Sequence, residues 1–318
     1  MKVALIGAKG AVGRVLISII EDNWKDIDLH CFGSEVGLVS FDKNPSLEVK
    51  TLKDFKASDY DLIFSAAPDE VALSLREEIE ESGVPWVDKS SALRSDENIP
   101  LVICEINDKF EGKIASSPNC VAIPASLFLK SIEKFGVSSV VISTYQAVSG
   151  AGAKARNMLS REMKSSFMSA SIQPLFEKHP MANNVIPEIG EVDDDNFCQE
   201  ERKVESEIKK IIPSLSDVSI CVNVARVPVF VGHGMWITFQ LDDSSVNSEK
   251  IIKQMATCGV LYSGASVTPQ MVVAEDLVYA SRLKNHGNGF WSVWVICDNL
   301  RKGAALNAFQ IGCKLVGR

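Results

Sequence analysis

The sequence predicts an α/β protein: a doubly wound parallel sheet, then a second domain of α+β type. Three observations predict it. Lys2–Ile6 is an aliphatic run that stops at Gly7, and a helical apolar pattern (Val12, Leu16, Ile19, Ile20) follows. Short aliphatic runs and helical patterns alternate to about residue 120, which implies a parallel sheet. Beyond that point the strand-like runs lengthen and few helices intervene, which implies a mixed or antiparallel sheet.

In the first part Leu29–Phe32, Leu62–Ser65, Trp86–Asp88 and Leu101–Ile103 read as further strands, with a helix over Val71–Ile79. In the second, strands are expected at Val137–Tyr145, Ile220–Pro228, Met235–Leu241 and Phe290–Ile296. Helices are expected at Ala125–Phe135, with Pro124 in the first turn, at Gly152–Ser169, at Glu200–Ile212 and at Lys302–Val316. The acidic run Asp193–Asp195 reads as a solvated loop or the lead-in to a helix.

A chain of 318 residues suggests about two domains. The net charge of −8 gives no basic field, so neither nucleic acid nor an anionic membrane is an expected partner. No apolar run approaches the ~18 residues of a membrane-spanning helix, and the aliphatic stretch after Met1 is too short for a signal peptide. Eight cysteines without C-x-x-C or metal-type spacing read as reduced thiols of a cytoplasmic protein, with no metal site.

Gly7-Ala8-Lys9-Gly10-Ala11-Val12-Gly13 lies where a strand gives way to a helix. The first glycine permits a tight turn, the second a close approach of backbone N–H groups to a pyrophosphate, and the third helix–strand packing. The anion would sit at the helix N-terminus. This is the opening of a Rossmann-type dinucleotide-binding domain. Cys120, in Pro118-Asn119-Cys120, lies just ahead of a helix N-terminus, where a thiolate is favoured. His233 follows a strand that ends in Gly-His-Gly and is expected to expose its imidazole at a turn. Composition alone pairs no cysteine with a histidine.

Longer segments carry a resemblance. Besides the glycine loop and Pro-Asn-Cys they are Ser143-Thr144-Tyr145-Gln146-Ala147-Val148-Ser149-Gly150-Ala151-Gly152, Ile186-Pro187-Glu188-Ile189-Gly190, Arg226-Val227-Pro228-Val229 through His233, and Asp298-Asn299-Leu300-Arg301-Lys302-Gly303-Ala304-Ala305. With these in order, the chain resembles the aspartate-β-semialdehyde dehydrogenase family along nearly its whole length. The resemblance implies NADP-dependent interconversion of β-aspartyl phosphate and aspartate β-semialdehyde, in the biosynthesis of lysine and diaminopimelate, methionine, threonine and isoleucine. It implies Cys120 as the nucleophile that forms a thioester, His233 as acid and base at the thiohemiacetal oxygen, and Gln146 as the group that orients the intermediate. Arg226 would grip the substrate carboxylate and Glu207 its amino group. Arg94 and Lys210 would bind phosphate, with Asn119 beside the substrate. Gly7, Lys9, Gly10, Ala11, Val12, Gly13, Ser34, Ser149, Gly150 and Asn299 would contact the cofactor. It further implies a dinucleotide domain of residues 1–121 plus 300–318 and an inserted catalytic and dimerisation domain of residues 122–299. A homodimer is expected, with a homotetramer as the alternative.

One segment departs from the family. Where relatives carry Ser and Arg for the adenosine 2′-phosphate, this chain reads Phe32-Gly33-Ser34-Glu35-Val36-Gly37-Leu38. NADP remains the expected cofactor, with NAD as the alternative and with Lys9 or Lys43 as the candidate replacement cation. Two competing readings are a reductase of N-acetyl-glutamyl phosphate type and a non-catalytic relative. Glu207 speaks against the first, and Cys120 with His233 against the second.

Overall fold

The computed structural model describes residues 1–39, 47–168 and 178–318. Lys43 and Ser169 fall outside them. The chain forms two units, residues 1–119 with 304–318, and residues 120–303.

The first unit holds strands β1 (Lys2–Ile6), β2 (Asp28–Phe32), β3 (Gly37–Val39), β4 (Leu47–Lys50), β5 (Leu62–Ser65), β6 (Trp86–Asp88) and β7 (Ile114–Ser116). Their order is β3-β4-β2-β1-β5-β6-β7, and every pairing is parallel except β3 with β4. Both faces are covered, so the strands read as continuous apolar runs. Val3 and Leu5 point to a core shared with helix α1 (Ala11–Asn23) and the C-terminal helix Leu306–Val316. Ala4 and Ile6 point to the opposite core, shared with Ala72 and Ile79 of α2 (Asp69–Ser82). The C-terminal helix packs so tightly that a Cβ on Gly312 would fall 2.4 Å from Phe64 Cζ.

Leu101–Ile103 does not form the expected strand. Leu101 makes only an isolated bridge to Ser116. The Asn107 side chain accepts the Ile103 N–H at 2.8 Å and donates to the Leu101 carbonyl at 2.9 Å, which diverts backbone groups from the ladder. Ile103 instead leads into the short helix α3 (Cys104–Asn107).

The second unit holds α4 (Ala122–Ile132), β8 (Val137–Gln146), α5 (Gly152–Phe167), α6 (Gln199–Ile211), β9 (Ser219–Arg226), β10 (His233–Leu241), α7 (Ser248–Thr257), β11 (Val260–Ser263), β12 (Val278–Gly287) and β13 (Phe290–Cys297). Its mixed sheet runs β11-β12-β13-β10-β8-β9. Alternation places Val140, Ile142 and Thr144 on the buried face and Val141 and Tyr145 on the open one. The Phe128 ring of α4 meets Phe239 of β10 across the buried face. β9 stops at Arg226, two residues before Pro228, which has no N–H to continue a ladder.

Three differences from the sequence reading have local causes. α7 was not expected, although Asn247 caps it by accepting the Lys250 N–H at 2.9 Å. β12 was not expected because its second half, Arg282–Gly287, is polar and interrupted by register shifts. The closing helix starts late: residues 301–305 form a π-turn in which Gly303 N–H donates to Asp298 O.

Candidate active site

Four strands of the second unit end side by side. Gln146 at the end of β8 pairs with Arg226 at the end of β9. His233 opens β10 opposite Cys297, which closes β13. Gly234 pairs with Tyr145, so His233 stands next to Gln146. All four lie on the buried face, forming a row Arg226–Gln146–His233–Cys297 across β9, β8, β10 and β13. The sequence supplies the residues, and the register alone makes them neighbours.

His233 is not exposed at a turn as expected. It is the first residue of β10 and fully buried. The ring reaches Ala147, whose backbone N–H donates to Nδ1 at 3.0 Å. Nε2 is buried with no hydrogen-bond partner among the described residues. Burial, and then the charge of Arg226, hold its pKa well below the ordinary 6.5. The ring is therefore neutral at physiological pH.

Arg226 is buried and donates through a terminal guanidinium nitrogen to the Ala147 carbonyl at 3.1 Å. The backbones of Arg226 and Ile186 exchange two hydrogen bonds. A Cβ on Gly150 would stand 3.1 Å from His233 Nε2 and 3.3 Å from the same Arg226 nitrogen. Glycine at 150 thus keeps space open beside both groups. Gln146 is buried, its amide 3.5 Å from the Thr144 hydroxyl.

Cys120 is half-buried, two residues ahead of the first residue of α4. Gly303 packs on it, since a Cβ there would lie 3.3 Å from Cys120 Cβ. Burial, then the charges of Asp298 and Cys120, raise the pKa of the Cys297 thiol far above its ordinary value, so that thiol stays protonated. Sequence reasoning missed Cys297, although it immediately precedes the Asp298–Ala305 block. It also missed the Ala147 N–H, which leaves no mark on side-chain identity.

Asn299 is buried and its carboxamide is engaged. Oδ1 accepts the Gly232 N–H at 3.0 Å and the Ser149 hydroxyl at 3.0 Å, and Nδ2 lies 2.9 Å from the same hydroxyl. On α6, Glu207 is buried and Lys210 half-buried.

The remaining expected residues belong to the first unit. Gly7 has φ +84°, and a Cβ there would lie 2.5 Å from Ala66 O. A Cβ on Gly13 would lie 2.3 Å from Gly7 O. Gly10 is the N-cap of α1, and no side chain caps the helix. Ala11 and Val12 open it, where helix N–H groups favour an anion. Lys9 donates to Val36 O at 2.9 Å, which brings its ammonium onto the segment of Ser34 and Glu35. Arg94 binds two carbonyls, Ser117 O at 3.1 Å and Lys89 O at 2.7 Å. Lys89, which sequence reasoning did not single out, reaches Ser117 Oγ and Pro118 O at 3.3 Å. Asn307 of the C-terminal helix also holds Ser117 Oγ, at 2.9 Å. The segment that leads through the buried Asn119 to Cys120 is thereby fixed.

Comparison with known proteins agrees with this construction. Residues 2–112 match the family model "Semialdehyde dehydrogenase, NAD binding domain", and residues 129–302 match "Semialdehyde dehydrogenase, dimerisation domain". The aspartate-semialdehyde dehydrogenase of Rickettsia conorii is 35% identical over 99% of this chain and 97% of its own length. That of Aquifex aeolicus is 33% identical over 99% and 98%. Among solved structures, aspartate semialdehyde dehydrogenase II from Vibrio cholerae superposes with a TM-score of 0.92 at 28% identity, covering 99% of this chain and 98% of that one. The chain belongs to the semialdehyde dehydrogenase family.

Proposed function

We propose that this protein is an aspartate-semialdehyde dehydrogenase that interconverts aspartate β-semialdehyde and β-aspartyl phosphate through a thioester on Cys120. The observation that carries the reading is the row Arg226–Gln146–His233 on one sheet face, in a chain whose full-length relatives bear that activity. The Vibrio cholerae neighbour has also been solved in complex with ASA, at 27% identity.

In the oxidative direction the Cys120 thiolate attacks the aldehyde carbon. A carbon–sulfur bond forms and the carbonyl π pair moves to oxygen. His233 Nε2 acts at that oxygen, and Gln146 orients the intermediate. Once the thioester exists, a phosphate oxygen attacks it, the carbon–sulfur bond breaks, and β-aspartyl phosphate leaves with the thiolate restored. Arg226 and Glu207 hold the carboxylate and ammonium of the substrate; a guanidinium fork matches a planar carboxylate. Lys210 and Arg94 bind phosphate, and Asn119 lies beside the substrate.

The first unit fits a dinucleotide, because the Gly7–Gly13 cradle leaves no room for a side chain at Gly7 or Gly13 and ends at an uncapped helix. Gly7, Lys9, Gly10, Ala11, Val12, Gly13 and Ser34 would hold it, with Ser149, Gly150 and Asn299 of the second unit as further contacts. When bound, the dinucleotide supplies the hydride acceptor or donor for the carbon that Cys120 holds. NADP is the proposed form, with Lys9 as the cation for its 2′-phosphate.

A second copy of the chain is the proposed partner, and the open sheet face of the dimerisation domain, with Val141, Tyr145 and the rings of Trp236 and Trp294, its seat. A dimer is proposed over a tetramer, and sedimentation distinguishes them. No helix among the described residues is long and apolar enough to cross a membrane, and all eight cysteines are free. The cytoplasm is the proposed location. The test of function is formation of reduced dinucleotide from aspartate semialdehyde, phosphate and NADP. Activity with N-acetyl-glutamate semialdehyde instead, or none with either, would overturn the reading.

A further inference from the structure

We propose that Glu201 is a positioning residue: its carboxylate ties the N-terminus of α6 to the edge of β9 and so sets where α6 presents Glu207 and Lys210. This rests on the reading of those two side chains as anchors for the substrate ammonium and for phosphate.

Val204, Ile208 and Ile211 form the apolar stripe of α6, and all three are buried. Two acids share that stripe. Glu207 lies between Val204 and Ile211 and is buried with them. Glu201 lies one turn before Val204 and is half-buried. An acid on an apolar stripe must find hydrogen-bond donors, or its burial is costly. Substrate binding accounts for Glu207 and leaves Glu201 unexplained.

Glu201 meets two backbone donors in different elements. Oε2 accepts the Cys198 N–H at 2.9 Å, which closes the first turn of α6 as a capping box. Oε1 accepts the Val224 N–H of β9 at 3.3 Å. β9 stands at the edge of its sheet, next to β8. Along that edge Val224 is covered by Glu201, and Arg226, two residues on, by Ile186. The segment that starts at Ile186 then returns to the same helix. Ile189 O accepts the Glu200 N–H at 3.3 Å, and Glu191 O accepts the Gln199 N–H at 2.9 Å. The N-terminus of α6 is thus fastened to β9 twice, directly through Glu201 and indirectly through Ile186.

The apolar and polar contacts do different things. Val204, Ile208 and Ile211 hold α6 in place by apolar contact, which is non-directional and tolerates sliding along the helix axis. A carboxylate between two N–H groups is directional and charge-assisted, and it fixes the axial position. Glu207 and Lys210 lie roughly 9 and 14 Å further along the helix, at 1.5 Å per residue. A rigid helix carries any displacement at Glu201 to both. Arg226 belongs to β9 itself, so the same carboxylate sets α6 against the strand that grips the other end of the substrate.

The test is steady-state kinetics of Glu201→Ala and Glu201→Gln. Alanine removes both acceptors. Glutamine keeps the size, but offers one acceptor oxygen to two donors. In both variants KM for aspartate semialdehyde and KM for phosphate should rise together, by about 10-fold or more, the scale of a displaced binding group. The dissociation constant for NADP, whose proposed contacts lie outside α6, should stay at the wild-type value and shows that the fold is intact. Wild-type KM values, or a rise for one ligand alone, overturn the proposal. Loss of NADP affinity in the glutamine variant also overturns it, because the damage would then be general. Glu207→Gln and Lys210→Met report separately on the underlying reading, since each should raise KM for its own ligand. If they do and Glu201→Ala does not, the proposal alone fails. If neither does, α6 anchors no substrate and the reading itself fails.

Discussion

Asn299 and Ser149 hold each other inside the second unit, with hydroxyl-to-carboxamide distances of 3.0 and 2.9 Å, while Asn299 Oδ1 also takes the Gly232 N–H. The amide thereby joins the turn that precedes His233 to the turn that follows Ala147. These two segments meet at the imidazole. Asn299→Ala would leave a buried N–H unsatisfied and loosen both turns. We expect kcat to fall by up to ~10²-fold, the scale of a small misplacement of a reacting group. Dinucleotide affinity, measured by titration calorimetry, should fall as well, since Asn299 is a proposed contact of the cofactor. Unchanged affinity with a lowered kcat would mean that the amide serves the two turns alone.

Cys120→Ser should lower turnover by ~10⁴-fold or more, because a weakly nucleophilic hydroxyl replaces the thiolate. Iodoacetamide should label Cys120 ahead of Cys31 and Cys297, because burial raises both of those thiols, Cys31 to about 12. Mass spectrometry of the labelled peptides checks the order.

Arg226→Lys keeps a charge but loses the fork and its bond to the Ala147 carbonyl. A loss of roughly 2–4 kcal/mol in kcat/KM is expected, because the reacting carbonyl is displaced as well. Glu207→Gln should raise KM for the amino substrate and leave dinucleotide binding alone. Wild-type kcat/KM in both variants would detach this end of the site from the substrate.

Lys9 lies against Val36 O, on the segment where Glu35 would repel a 2′-phosphate. One such exposed charge contact is worth about 1 kcal/mol or less after screening. Lys9→Met should therefore weaken NADP binding several-fold and spare NAD, while Glu35→Ser should improve NADP. Dissociation constants for both dinucleotides at fixed ionic strength decide the matter. Unchanged NADP selectivity in both variants would show that the phosphate is held elsewhere.

The buried His233 also sets a pH dependence of stability. Its pKa is depressed in the folded chain, so below about pH 6.5 the unfolded chain binds a proton that the folded one does not. The unfolded state is favoured progressively as pH falls through that value, and this contribution is absent above it. Denaturant melts of the wild type and of His233→Gln should diverge below pH 6.5, with the variant losing less stability.

The sequence by itself determined the parts that depend on local order. Gly7, Gly10 and Gly13 between an aliphatic run and an amphipathic helix specify a strand, a tight turn and a helix. Alternation along Val137–Tyr145 specifies a strand buried on one face. Cys120 ahead of a helix is likewise a local fact. The tertiary structure decided what depends on register and on the backbone. Arg226, Gln146, His233 and Cys297 lie far apart along the chain and become neighbours only because β9, β8, β10 and β13 end together. The turn expected at His233 proved to be the start of β10, which buries the ring. There it meets the Ala147 N–H, a backbone group that every residue except proline carries, so no pattern of side chains records the contact.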